Sequence, residues 1–120
     1  MATNKGAVMV VEDDGEARAF LMQILELEGF TAVGFANGAE ALDYLARSAV
    51  PRLIVMDIRM PVMDGRQFRS VLLQDPRLAK IPVIVVTALD PSAAAGMGAL
   101  RVLRKPLDVN ALIRIIKQRS

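Results

Sequence analysis

The chain has no cysteine, no histidine and no tryptophan, and a single tyrosine among its 120 residues. Without cysteine there can be no disulfide and no thiolate metal site. Without histidine the commonest general base and transition-metal ligand is missing, so a bound metal is expected to be a hard cation held by oxygen. Aromatic residues amount to 4% and do not interleave with arginines, which gives nucleic-acid binding little support. No apolar stretch approaches a membrane span, and Met1 to Gly6 lacks the charged start and apolar run of a signal peptide. A soluble cytoplasmic protein without a membrane partner is the expectation.

What is present is an ordinary globular composition, 53% apolar and 23% charged. The length predicts one domain over residues 1–120, able to bury a core without staples. The net charge of +2 is unevenly spread, with 7 basic and 11 acidic side chains in residues 1–75 against 8 and 2 in residues 76–120. An acidic partner surface or nucleic acid would suit the basic part, but solvated helix faces account for it more simply.

The most informative stretch runs from Leu53 to Gly65. Leu53-Ile54-Val55-Met56 is wholly apolar and ends in Asp57, with Met60-Pro61 and Asp64-Gly65 following. A short unbroken apolar run suits a strand buried on both faces of a parallel sheet. In open α/β sheets, ligands lie outside the carboxyl ends of such strands, which is where Asp57 falls.

The rest of the chain repeats this strand-helix pattern. Ala7 to Val11 reads as a buried strand ending in Glu12-Asp13-Asp14. The next helix runs from Glu16 to Glu28, with Asp14 as N-cap, Gly29 beyond its end, and apolar residues Ala17, Phe20, Leu21, Ile24, Leu25 and Leu27 at helical spacing. Thr31 to Ala36 is a weaker strand containing Gly34. Asn37, with Glu40 three residues on, opens a second helix whose stripe is Ala41, Leu42, Leu45 and Ala49, ended by Pro51. A third helix over about 65–74 buries Phe68, Val71 and Leu72. Pro82 to Thr87 is a fourth strand and Leu100 to Leu103 a fifth. Asp108 caps a last helix with Val109, Leu112, Ile113 and Ile116 on one face.

Alternation with short connections predicts an α/β fold of right-handed crossovers. Strands one, three and four are apolar on both faces and belong at the centre. Gly34 and Arg101 mark strands two and five as edges. The expected architecture is a doubly wound, flavodoxin-like five-stranded parallel sheet in the order 2-1-3-4-5.

That order brings Glu12, Asp13, Asp57, Thr87 and Lys105 to one edge of the sheet. Taken singly, Asp13 or Asp14 is a helix cap, Thr87 a β-branched strand residue and Lys105 a solvated lysine. Together they make a site in which crowded carboxylates repel one another, and their pKa values would rise unless a cation neutralises them. Mg²⁺ suits it, since that ion binds through one or two carboxylates, water and phosphate. Lys105 adds a second positive charge, Thr87 a hydroxyl, and an aspartate can accept a phosphoryl group.

Val10-Val11-Glu12-Asp13-Asp14, the Asp57 strand with Met60-Pro61 and Asp64-Gly65, Pro82 to Thr87-Ala88, and Lys105-Pro106 are arranged as in two-component response-regulator receiver domains. The chain resembles that family, in its single-domain, chemotaxis-receiver-like form, over essentially its whole length. The resemblance implies that Asp57 accepts a phosphoryl group from a phosphohistidine on a sensor histidine kinase or histidine phosphotransfer protein. It implies Mg²⁺ held by Asp13, Asp57 and the backbone carbonyl of Arg59, with Glu12 acting through water. Thr87 and Lys105 would hold phosphoryl oxygens, Ala88 would leave access, and the Lys105-Pro106 peptide would be cis. Phosphorylation would alter the surface of the fourth helix, fifth strand and fifth helix.

Two departures bear on output. The family's Tyr or Phe three residues before the lysine is Val102 here. Thr87 to Lys105 spans 18 positions, about one helical turn fewer than usual, and the segment contains Pro91, Gly96 and Gly98. A short or partly disordered fourth helix is expected. Arg59 and Leu89, two residues after Asp57 and Thr87, do not obviously place a water for hydrolysis, which points to a long-lived phosphoform.

The alternative function is a phosphorylation-independent interaction module on the same fold. A turnover enzyme is disfavoured. A haloacid-dehalogenase-type phosphatase needs a second aspartate where Arg59 stands, and a flavodoxin needs a hydroxyl- and glycine-rich loop where Glu12-Asp13-Asp14 stands.

Overall fold

The computed structural model describes residues 6–119; Met1 to Lys5 and Ser120, and with them the outer limits of the 1–120 domain and most of the signal-peptide reading, lie outside the described residues. Five strands form one parallel sheet: β1 (Val8–Val11), β2 (Ala32–Phe35), β3 (Leu53–Met56), β4 (Val83–Thr87) and β5 (Arg101–Arg104). Their order is β2-β1-β3-β4-β5, as expected. Every residue of β1, β3 and β4 is buried, whereas β2 buries only Ala32 and β5 buries none.

Side chains alternate across the sheet, so each central strand feeds two cores. Met9, Val11, Ile54, Met56, Val83 and Val85 pack with Ala41 and Leu45 of α2 (Gly38–Leu45) and Phe68 and Leu72 of α3 (Gly65–Gln74). Val8, Val10, Leu53, Val55, Ile84 and Val86 pack with Leu21 and Leu25 of α1 (Gly15–Leu27) and Leu112 and Ile116 of α4 (Val109–Gln118).

The caps act largely as read. The Asp14 side chain accepts from the N–H groups of Glu16 and Ala17, and Asp108 accepts from that of Ala111. Gly29 ends α1 at φ +92°, a conformation other residues avoid. Asn37 accepts from the Glu40 N–H at 3.0 Å, but the Glu40 carboxylate accepts from Ala36 instead of closing back on the cap itself. The reciprocal capping box is found at α3, between Asp64 and Gln67.

Several expectations need correction. In α1 the helical spacing holds, but Leu21 and Leu25 are buried while Phe20 (58%) and Leu27 (79%) are exposed, as is Ala17. Ala49 is exposed and outside α2, which stops at Leu45. The guanidinium of Arg77 holds the Leu45 and Ser48 carbonyls there, ending the helix before Pro51 can. In α3, Val71 is only half-buried and Arg69 is buried instead. Strand β5 starts one residue later than expected, which sets Arg104 as its last residue and Lys105 just beyond it.

Between β4 and β5 no α-helix forms. One 3-10 turn, Pro91–Ala94, takes its place, and Gly96 and Gly98 follow at φ +81° and +67°. Ala94 and Met97 are buried and fill the core that a longer helix would otherwise cover.

Candidate functional site

The acidic cluster lies where strands β1 and β3 stop. Their register pairs Val11 with Met56, so the next residues, Glu12 and Asp57, leave the sheet side by side. Glu12, Asp13 and Asp57 each present a carboxylate oxygen within 4.8 Å of the others. Asp57 is only 8% exposed. Its Oδ1 accepts from the N–H of Ile58 at 2.7 Å, and its Oδ2 accepts from Lys105 Nζ at 2.8 Å.

Lys105 also donates to Glu12 Oε1 at 2.9 Å, so one ammonium bridges two carboxylates. The Lys105 N–H donates to the Thr87 carbonyl at 2.8 Å, tying the end of β4 to the loop after β5. Burial by itself would lower the Lys105 pKa. The hydrogen bonds to Asp57 and Glu12, with their charges, outweigh it and hold the ammonium above its ordinary 10.5. Burial raises the Glu12 carboxyl above its ordinary 4.5, helped by the Asp57 charge and opposed by Lys105 and the Asp14 N–H.

Thr87 is fully buried, and its hydroxyl accepts from the Leu89 N–H at 3.0 Å instead of meeting Asp57. Ala88 and Arg59 are exposed beside the cluster, and the Lys105-Pro106 peptide is cis. Val102 is half-buried against the Met56–Phe68 side of the core, with no aromatic ring in its place. The five polar positions expected to share the site are therefore at one sheet edge, with Thr87 turned toward the segment that follows it.

The sequence did not single out two further supports. Arg18, one turn into α1, donates to the Glu12 carbonyl at 2.6 Å and anchors the acidic loop. Gly65 lets α3 start against the site: its N–H donates to the Ile58 carbonyl at 2.7 Å, and a Cβ there would lie 2.3 Å from the Asp57 carbonyl oxygen. The Asp64-Gly65 pair was a visible signal for a turn, but not for that close approach.

Two depressions meet at the cluster. A cavity of ≈ 360 Å³ runs from Glu12, Asp57 and Lys105 between Phe20 of α1 and Leu107. A more open one of ≈ 490 Å³ lies on the side of Asp13, Arg59, Met60 and Leu89. Three converging carboxylates without nitrogen or sulfur donors fit a hard divalent cation, since each is an oxygen ligand and their mutual repulsion favours an added positive charge.

A family model described as the response regulator receiver domain matches residues 8–117. The chain is 38% identical over 118 residues to the DNA-binding transcriptional regulator NtrC of Escherichia coli, covering 95% of this chain and 24% of that protein. It therefore spans about a quarter of that relative's length. It is 36% identical to the polar-differentiation response regulator DivK of Brucella anthropi, covering 92% of this chain and 93% of that one. Among solved structures it is similar to the receiver domain of a Pseudomonas aeruginosa sensor histidine kinase, with a TM-score of 0.84, 25% identity and coverage of 94% and 95%. That structure has a magnesium ion coordinated in the active-site cleft. Among the described residues here, no helix is long and apolar enough to cross a membrane. With a match that covers nearly the whole fold and every strand end that builds the acidic edge, the chain belongs to the response regulator receiver domains of two-component signalling.

Proposed function

We propose that Asp57 is the phosphoacceptor of this receiver, taking a phosphoryl group from a phosphohistidine on a sensor histidine kinase or phosphotransfer protein. The observation that carries this reading is the Asp57 carboxylate, nearly buried and held on one oxygen by Ile58 and on the other by Lys105. A carboxylate oxygen attacks phosphorus, an O–P bond forms, and the N–P bond breaks with its electron pair left on the donor's imidazole. Such transfer depends mainly on positioning and charge neutralisation.

Lys105 supplies the neutralising charge that belongs to the chain. Paired with Glu12 and Asp57, it can follow a phosphoryl oxygen and leave Glu12 behind. Thr87 would bind a second oxygen once its hydroxyl turns away from Leu89, and exposed Ala88 leaves the approach open. Asp13 and Asp57, the Arg59 carbonyl, and Glu12 through water would hold Mg²⁺, which when bound supplies further charge neutralisation at the phosphoryl oxygens. Arg59 and Leu89 offer no carboxylate or amide to orient an attacking water, which favours a long-lived phosphoform.

The test is incubation with Mg²⁺ and acetyl phosphate, followed by mass measurement of the intact protein. A gain of one phosphoryl group that disappears in Asp57→Asn is the expected result. No gain under these conditions or with a panel of phosphorylated histidine donors overturns it, leaving an interaction module that works by binding alone.

A further inference from the structure

Four carbonyls of the segment between β4 and β5 are held from one helix. Arg66 and Arg69 stand one turn apart on α3. Arg66 donates from Nη1 to the Ala93 carbonyl at 2.6 Å and from Nη2 to the Ala95 carbonyl at 2.9 Å. Arg69 donates from Nε to the Met97 carbonyl at 2.7 Å and from Nη2 to the Gly98 carbonyl at 3.3 Å. Two guanidinium groups thus collect four carbonyls of a six-residue strap.

The strap is joined to the site at one end and to the sheet at the other. Leu89 N–H donates to the Thr87 hydroxyl, and Leu100 N–H donates to the Val83 carbonyl at 2.7 Å. Inside it, Gly96 and Gly98 adopt positive φ, and Met97 is buried between them. Arg69 is 7% exposed, and its Nη1 finds no acceptor among the described residues. A rigid fork with a spare buried donor can trade one backbone carbonyl for the next while keeping its charge. Paired glycines give the strap the backbone freedom to make that trade.

We propose that Arg66 and Arg69 are positioning residues that clamp residues 93–98 and couple the Thr87 hydroxyl to β5. A hydroxyl drawn from Leu89 toward the acidic site frees the residues that lead into the strap, and the clamp passes that release on to Leu100 and the edge strand. The coupling itself is a property of the resting fold, and only its use in signalling rests on the phosphoacceptor reading.

The experiment measures amide exchange at Ala95 and Met97, whose N–H groups donate to the Ser92 and Ala94 carbonyls, in the full chain and four variants. Arg66→Ala is expected to speed exchange at both by about fivefold or more, the loss of two charge-assisted bonds. Thr87→Val, which keeps the shape and removes the hydroxyl, is expected to speed them by about twofold. The double variant is expected to fall clearly short of the product of the two, because both changes release one strap. Effects that multiply, or a Thr87→Val protein whose Ala95 and Met97 exchange as in the parent, overturn the coupling. Arg69→Met should behave as Arg66→Ala does; if it does not fold, exposed Arg66 still decides. A second arm adds Mg²⁺ and acetyl phosphate, with mass reporting phosphorylation separately. Phosphorylated parent with altered strap exchange, and phosphorylated Arg66→Ala with that change at least halved, support the proposal. Equal changes in both overturn it. A parent that takes up no phosphoryl group sinks the function proposed above, while the unphosphorylated comparison still settles the clamp.

Discussion

The acidic edge and the strap after Thr87 lie a few residues apart and are held in opposite ways. At the acidic edge, positions follow from strand ends: buried β1 and β3 run in register, and Glu12 and Asp57 emerge together where the apolar runs stop. The strap has no regular element longer than one 3-10 turn, and beyond buried Ala94 and Met97 its position comes from long side chains reaching across from α3. The first arrangement is as rigid as the sheet that delivers it. The second depends on a few directional bonds, the kind of region from which moving parts are drawn.

Gly65→Ala would break the contrast most severely, because it attacks the rigid side. The added methyl collides with the Asp57 carbonyl and the Ile58 Cα, both backbone, so neither can step aside cheaply. A loss of about 2–3 kcal/mol is expected in urea unfolding, together with slower phosphorylation. A stability within about 0.5 kcal/mol of the parent would show that the edge yields more easily than its burial implies.

Lys105→Met probes the same edge through charge. Removing the ammonium leaves Glu12 and Asp57 facing each other with no cation between them. Mg²⁺ affinity should rise by about three- to tenfold, a modest factor because Lys105 is partly solvated. Phosphorylation by acetyl phosphate should fall at the same time. Calorimetric titration that finds equal or weaker Mg²⁺ binding would mean that Lys105 does not compete for these carboxylates.

The smallest effect belongs to the strap. The Asp90 carboxylate accepts from the Ser92 N–H, and that bond, with the Ser92 hydroxyl and the nearby Arg104 charge, holds its pKa below the ordinary 3.8. A depressed folded-state value means this contribution is complete above 3.8 and is lost as pH falls through the folded pKa. The Ser92 amide signal should therefore titrate with a midpoint below 3.8, and Asp90→Asn should abolish the transition. A midpoint at or above 3.8 would remove Asp90 from the strap's supports.

Much of the acidic edge was legible because it needs only pattern. Four apolar residues before Asp57 announce a buried parallel strand, and alternation fixes which sheet edge it ends on. The weakness of the fourth helix was legible too, from a count of positions and from Pro91, Gly96 and Gly98, but a short helix was expected and only a 3-10 turn forms. Burial on α1 was not: Phe20 and Leu27 keep helical spacing but stay 58% and 79% exposed, Phe20 on the wall of the cavity beside Glu12 and Asp57. Arg69 was invisible for the reverse reason. A charged residue reads as solvated unless carbonyls are waiting for it, and Met97 and Gly98 lie almost thirty residues away.

The sequence by itself determined the order of elements, the sheet topology and the carboxylates at its edge, because these follow from local periodicity and from chain connection rules. Tertiary structure alone decided what holds those pieces in place. Lys105 meets both Glu12 and Asp57, Arg18 grips the acidic loop, Gly65 admits α3 against Asp57, and two arginines stand in for a helix. Each of these depends on donors and acceptors far apart in the chain, whose meeting is set by packing and leaves no periodic trace.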